Sequence, residues 1–84
     1  MSKIKQLEKN LKLSGKLAEY IATNPKEIKN IPNGASFVIF SSGNEELNRE
    51  NKELLKSLKE EGKKVVKVTE NRNKKQPWTF SLAI

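Results

Sequence analysis

The chain has 84 residues, a hydrophobic fraction of 35% and a formal net charge of +7 at pH 7. A chain of this length buries only a small core, and we expect it to fold as one domain, residues 1–84. It has no cysteine and no histidine, which excludes disulfides, thiolate chemistry and the most common metal ligand and acid–base group. No pair of carboxylates suggests acid–base work, so we expect no enzymatic activity, no cofactor and no metal.

The charge is distributed unevenly along the chain. The net charge is +4 over residues 1–34, −2 over residues 44–61 and +5 over residues 62–84. Basic ends suit a polyanion partner, and they suit solubility equally well. The N-terminal residues are never apolar for long enough to form a signal peptide or a membrane span. We therefore expect a cytoplasmic protein with no membrane partner.

The N-terminal segment predicts a helix over residues 2–23. Its apolar residues recur at spacings of three and four, which is typical of a buried helix face. These residues are Ile4, Leu7, Leu11, Leu17, Tyr20 and Ile21, with Leu13 and Ala18 beside them. Ser14 and Gly15 interrupt good helix formers, which predicts either a kink or the close approach of a neighbouring backbone. A helical turn is expected over residues 25–30, because Pro25 suits the first helical position.

The middle of the chain predicts a strand, a helix and a second strand over residues 35–40, 45–61 and 64–69. Residues 37–40 are continuously apolar, which is typical of a strand covered on both faces, as in a parallel sheet. Short connections favour a βαβ unit with parallel strands. Residues 78–83 alternate between apolar and polar, which predicts an extended segment or a third strand. The expected fold class is α/β, with an N-terminal helix, the βαβ unit and the C-terminal segment in a two-layer sandwich.

Four segments carry a recurring pattern: a helix ending near a proline, a Pro-x-Gly-Ala turn into an apolar strand, an asparagine-bearing helix and a second strand. They are KNLKLSGKLAEYIATNP, IPNGASFVIF, NEELNRENKELL and GKKVVKV, within residues 8–69. This pattern resembles a family of small uncharacterised prokaryotic proteins, a domain of unknown function. The resemblance implies the order helix, strand, helix, strand, and it implies no substrate, cofactor or site residue. The basic loop ENRNKKQP and the tail WTFSLAI lie outside it.

The first candidate site is the loop that connects the first strand to the following helix. It consists of Ser41, Ser42, Gly43 and Asn44. The carboxyl end of a parallel strand and the N-terminus of a helix meet there, and anions commonly bind at such places. The loop lacks the spacing of a P-loop or a dinucleotide fingerprint, and Glu45 and Glu46 would repel a phosphate. The favoured interpretation is an ordinary capped loop, and the alternative is an anion or small-molecule site.

Two asparagines in the second helix form another candidate site. Asn51 lies in the apolar stripe between Leu47 and Leu54, and Asn48 lies nearly one turn earlier. Because a buried amide without partners costs about 1–3 kcal/mol, we expect Asn51 to be hydrogen-bonded. The favoured interpretation is a buried polar clasp that caps a loop or fixes the register. The alternative is a contact with a ligand or a partner.

The third candidate is a basic segment followed by the only tryptophan. Arg72, Lys74 and Lys75 together with Trp78 form a candidate polyanion contact, because basic and aromatic side chains can bind single-stranded nucleic acid. The favoured alternative for Trp78 is that it covers the sheet or inserts into a partner subunit.

These observations lead to two main hypotheses about function, with a small-molecule or anion binder at residues 41–44 as a third. The first is a non-enzymatic protein-interaction or structural and regulatory module that binds a protein partner or self-associates as a homodimer. Its basis is the small core and the apolar C-terminal stripe of Trp78, Phe80, Leu82 and Ile84. The alternative is a nucleic-acid-binding module that uses the basic N- and C-terminal regions.

Overall fold

The computed structural model describes residues 2–83. Its first helix is α1, over Lys3–Thr23. Ser2 caps it by accepting a hydrogen bond from the Lys5 N–H at 3.2 Å. The helix runs through Gly15 without a break. The helix is not interrupted because one glycine costs only about 1 kcal/mol in a helix that its neighbours support. A single 3₁₀ turn follows over Pro25–Ile28, shorter than the turn expected from the sequence.

The rest of the chain forms a three-stranded sheet and a second helix. Its elements are β1 (Ser36–Ser41), α2 (Glu45–Glu60), β2 (Val65–Glu70) and β3 (Trp78–Ala83). The spatial order is β1-β2-β3, with β1 parallel to β2 and β2 antiparallel to β3. The predicted α/β class is confirmed, and the C-terminal segment is a third strand that pairs within its own chain. Ile84, the last member of the predicted apolar stripe, lies outside the described residues.

Both faces of the sheet bury apolar side chains, because neighbouring residues of a strand point to opposite faces. On one face Leu13 and Leu17 of α1 pack in a cluster with strand residues that include Ile39, Val66, Val68 and Trp78. On the other face Leu55 and Leu58 of α2 pack against Val38, Phe40 and Val65. The predicted two-layer sandwich is therefore refined to a sheet with helical packing on both faces. The continuously apolar residues 37–40 are the reason, since they leave no polar face on β1.

The buried face of α1 differs from the predicted one. Leu13 and Leu17 are buried, whereas Ile4, Leu7 and Leu11 are 70%, 61% and 64% exposed. The apolar residues that the sequence places on one face therefore belong to two stripes, one against the sheet and one toward solvent. The N-terminal half of α1 consequently presents large apolar side chains to the outside.

Candidate functional site

α2 is attached to β1 through Asn51, whose side chain is completely buried. Its Nδ2 donates to the Ile39 carbonyl at 2.7 Å and to Asn10 Oδ1 at 2.8 Å. Its Oδ1 accepts from Asn10 Nδ2 and from Gln6 Nε2, both at 3.0 Å. All the polar atoms of this amide are satisfied, and they connect α1, α2 and β1 at one point.

Asn48 holds the same strand a short distance further on. Its Oδ1 accepts from the Ser41 N–H at 2.8 Å, and its Nδ2 donates to the Ser41 carbonyl at 2.8 Å. β1 is an edge strand, and Ile39 and Ser41 are alternate residues whose peptide groups face away from β2. The two asparagines therefore take the place of a neighbouring strand, and they cover an edge that could otherwise pair with another chain. We call Asn48, Asn51, Asn10 and Gln6 the amide clasp.

Sequence reasoning singled out the two asparagines of α2 but missed their partners on α1. Gln6 and Asn10 are half-buried, and with Leu13 and Leu17 they occupy one face of the helix at spacings of four, three and four. A polar pair that continues the buried apolar stripe of a helix is the signal that would have identified them. No buried side-chain nitrogen or oxygen among the described residues lacks a hydrogen-bond partner, which favours the structural interpretation of the clasp over a ligand contact.

The loop of residues 41–44 uses its polar groups internally. The Ser41 N–H is held by Asn48, and the Ser42 and Asn44 N–H groups donate to the carbonyls of Glu70 and Ser41. The Asn44 side chain accepts from the Leu47 N–H at 3.1 Å and so caps α2. Ser41 Oγ donates to Glu70 Oε1 at 2.9 Å. These bonds leave few amides for an anion, which favours the capped-loop interpretation.

Arg72 packs against this loop at Gly43. Gly43 has a φ of +94°, and a Cβ at that position would lie 2.5 Å from the Arg72 guanidinium nitrogen Nη2. The structure thus brings the first of the predicted polyanion-contact residues to the predicted anion loop. Lys74 and Lys75 lie beyond it in the exposed β2–β3 loop, where the Lys75 N–H donates to Asn73 Oδ1 at 2.9 Å.

Lysines of α1 add to the positive charge at this end of the sheet. Lys9, Lys12 and Lys16 line a cleft of about 230 Å³ together with Ser41 and Glu70. Lys16 Nζ lies 3.7 Å from the Glu70 carboxylate. We call the cations at this end the basic rim; they are Lys9, Lys12, Lys16, Arg72, Lys74 and Lys75. Glu70 lies within the cleft and opposes an anionic ligand there.

Trp78 is not part of the basic rim. Its side chain is 4% exposed and packs in the core cluster with Leu13, Leu17 and Val68. A base cannot stack on a ring in this position, so the assignment of Trp78 as a polyanion contact is wrong. The alternating pattern of β3 is the reason, since it directs the ring onto the sheet face that α1 covers.

The exposed face of α1 carries a row of large apolar side chains in its N-terminal half. Ile4, Leu7 and Leu11 lie on successive turns, and the exposed small residues Gly15 and Ala18 continue the same line. We call these five residues the α1 stripe. Its spacings of three, four and seven are those of a helix that packs against another helix.

A groove lies beside the α1 stripe, between the two helices. It has a volume of about 200 Å³, and Ser14, Phe37 and Leu54 are among its lining residues. Phe37 and Leu54 are 36% and 40% exposed. The ring of Phe37 packs edge-on against that of Phe80, with the two ring centroids 6.5 Å apart. The floor of the groove includes Asn51, so the amide clasp supports the surface from below.

The fold and these surfaces define a small α/β domain with a covered sheet edge and an exposed apolar helix face. Residues 5–77 match DUF5647, a family of unknown function, and the chain belongs to that family. The match includes the basic β2–β3 loop, which the sequence analysis had placed outside the resemblance. No curated protein and no solved structure matches the chain. Within residues 2–83 no helix is both long enough and apolar enough to cross a membrane.

Proposed function

We propose that the protein is a non-enzymatic, cytoplasmic protein-interaction module whose contact surface is the α1 stripe. The observation that carries this proposal is the exposure of Ile4, Leu7 and Leu11, each above 60%. A single exposed leucine is ordinary, but a contiguous row of large apolar side chains is typical of a protein–protein contact.

The support beneath α1 makes the α1 stripe suitable for binding. Leu13 and Leu17 fix the helix to the sheet, and Asn10 fixes it to α2 through Asn51. A partner therefore meets a helix that is already ordered, and little conformational entropy is lost on association. The groove next to Ser14 adds apolar area along one side of the stripe.

Site-specific photo-crosslinking in living cells tests this proposal. A photo-reactive amino acid at Leu7 or at Leu11 is expected to produce crosslinked protein, because both side chains point toward solvent. The matched control is the same amino acid at Lys56, an exposed position on α2. Products from the stripe positions and none from the control support the proposal. No product from either stripe position would contradict it.

The basic rim favours a second candidate function, the binding of single-stranded nucleic acid. Six cations surround the carboxyl ends of β1 and β2. Each phosphate neutralised on a single strand should change the slope of log K against log salt by about −0.7. Fluorescence anisotropy of labelled DNA and RNA at two salt concentrations tests this function.

Matched charge reversals locate the contact in that experiment. Lys74→Glu with Lys75→Glu should weaken binding and reduce its salt dependence. Lys52→Glu with Lys56→Glu, which makes the same charge change on exposed positions of α2, should have a smaller effect. Equal affinities for the two double variants, or no binding at low salt, would eliminate this candidate.

A further inference from the structure

We propose that α1 pairs with α1 of a second copy in an antiparallel arrangement centred on Leu11, which makes the protein a two-fold symmetric dimer. The inference rests on the proposed function, because it names the occupant of the same α1 stripe. Three independent features support it: the sizes of the stripe residues, the charges beside them and the groove between the helices.

The sizes of the residues in the α1 stripe are complementary to their own reversed order. Ile4 and Ala18 are equally distant from Leu11, and so are Leu7 and Gly15. Antiparallel pairing about Leu11 therefore places Ile4 opposite Ala18 and Leu7 opposite Gly15 of the second copy, while the two Leu11 side chains meet at the axis. A Cβ at Gly15 would have no atom within 4 Å, so its own chain leaves this space open. Parallel pairing would place small residues on small ones and leave a gap.

The charges on one flank of the α1 stripe favour the same orientation. Lys5, Glu8, Lys12, Lys16 and Glu19 follow one another there. Two-fold antiparallel pairing brings identical flanks side by side, so Glu8 lies next to Lys12 of the second copy and Glu19 next to Lys5. Each exposed pair contributes little. The symmetry repeats each pair, so four such contacts form, and they offset the repulsion between the two Lys12 side chains near the axis.

The groove on the other flank provides a seat for a side chain of the second copy. Leu7 of the second copy lies opposite Gly15 and therefore beside Ser14, at the rim of the groove that Phe37 and Leu54 line. A standard interface buries about 800 Å² on each partner, and this contact uses one helix face and one groove of about 200 Å³. The dimer is therefore expected to be reversible.

Cysteine crosslinking tests the orientation directly, since the chain has no cysteine of its own. Leu11→Cys should form a disulfide dimer, because the two Leu11 positions meet on the two-fold axis. Ile4→Cys alone and Ala18→Cys alone should not, because equivalent positions are about 21 Å apart along antiparallel helices. A disulfide requires Cα atoms within about 7 Å, which excludes a crosslink in either variant alone. In a mixture of the two variants, the cysteine at position 4 faces the cysteine at position 18 of the second copy, so the mixture should crosslink.

Two further observations make the outcome decisive. Adding Leu7→Glu to Leu11→Cys should lower the crosslinking rate at least 10-fold, while Trp78 emission shows that the fold is retained. Self-crosslinking of Ile4→Cys alone would overturn the antiparallel orientation. Failure of Leu11→Cys to crosslink would overturn the dimer. In that case a photo-crosslink from Leu11 to a different protein would still support α1 as an interaction surface. The absence of any photo-crosslink would contradict both the dimer and the proposed function.

Discussion

Replacing Asn51 with alanine removes four hydrogen bonds from the place where α1, α2 and β1 meet. The Ile39 carbonyl then has no partner in a buried position, which costs about 1–3 kcal/mol. The amides of Gln6 and Asn10 are half-buried and can turn toward water, so they add less. With the small cavity that remains, we expect the free energy of unfolding to fall by about 2–4 kcal/mol.

This loss is a large part of the stability of such a small domain. A chain of this length is expected to be stable by about 4–12 kcal/mol, so Asn51→Ala should remove at least about a sixth of its stability and, near the lower limit, most of it. The melting temperature should fall by about 10–25 °C. Urea denaturation followed by the emission of Trp78, which is buried in the native state, measures the change.

The control for this prediction is Asn33→Ala, because Asn33 lies exposed in the turn before β1. Its effect should stay within about 0.5 kcal/mol. A loss of less than about 0.5 kcal/mol for Asn51→Ala, measured on a folded protein, would refute the reasoning that the amide satisfies the edge of β1. The result would also mean that water replaces the amide at no cost.

Three further predictions concern single residues. Tyr20 Oη donates to Glu27 Oε1 at 2.7 Å, and this bond raises the pKa of Tyr20 above 10.0. The hydrogen bond therefore stabilises the fold at neutral pH, and this stabilisation is lost as the pH rises through the raised pKa of Tyr20. Glu27→Ala should lower the midpoint of the ultraviolet titration of Tyr20. An unchanged midpoint would contradict the hydrogen bond. Gly43→Ala should destabilise by about 1–3 kcal/mol in thermal unfolding, because its φ of +94° opposes a Cβ and the flexible Arg72 side chain would have to move aside, and an equally stable variant would contradict this geometry. Gly15→Ala should stabilise by about 1 kcal/mol, since its Cβ meets no neighbouring atom, and a loss of stability would show that α1 is more crowded there.

Local patterns were sufficient to predict the order of the elements. The apolar residues of β1, the cap at Asn44 and the apolar periodicity of α2 each act over a few residues, and both α-helices and all three strands form within one residue of their expected positions. The orientation of β3 was left open. Its antiparallel pairing depends on the reach of the loop after Glu70, where the Asn71 N–H donates to the Pro77 carbonyl at 2.7 Å.

The rotation of α1 could not be predicted from periodicity. Its sequence carries two apolar stripes, and the sequence analysis combined residues from both. The buried face is selected by contacts far away in sequence, above all the bonds from Gln6 and Asn10 to Asn51. Those partners lie more than 40 residues along the chain, so a local pattern contains no information about them. The exposure of Ile4 and Leu7 follows from this choice.

The most direct test of the central claim is sedimentation equilibrium of the purified full chain over a wide range of concentration. We predict that the apparent mass rises from 9.6 kDa toward twice that value, and that Leu11→Glu keeps the protein at the lower mass. The variant should unfold with wild-type stability, because Leu11 is 64% exposed and makes no core contact in the monomer. A wild-type protein that stays at 9.6 kDa up to the highest concentration would contradict the claim that α1 binds a second copy.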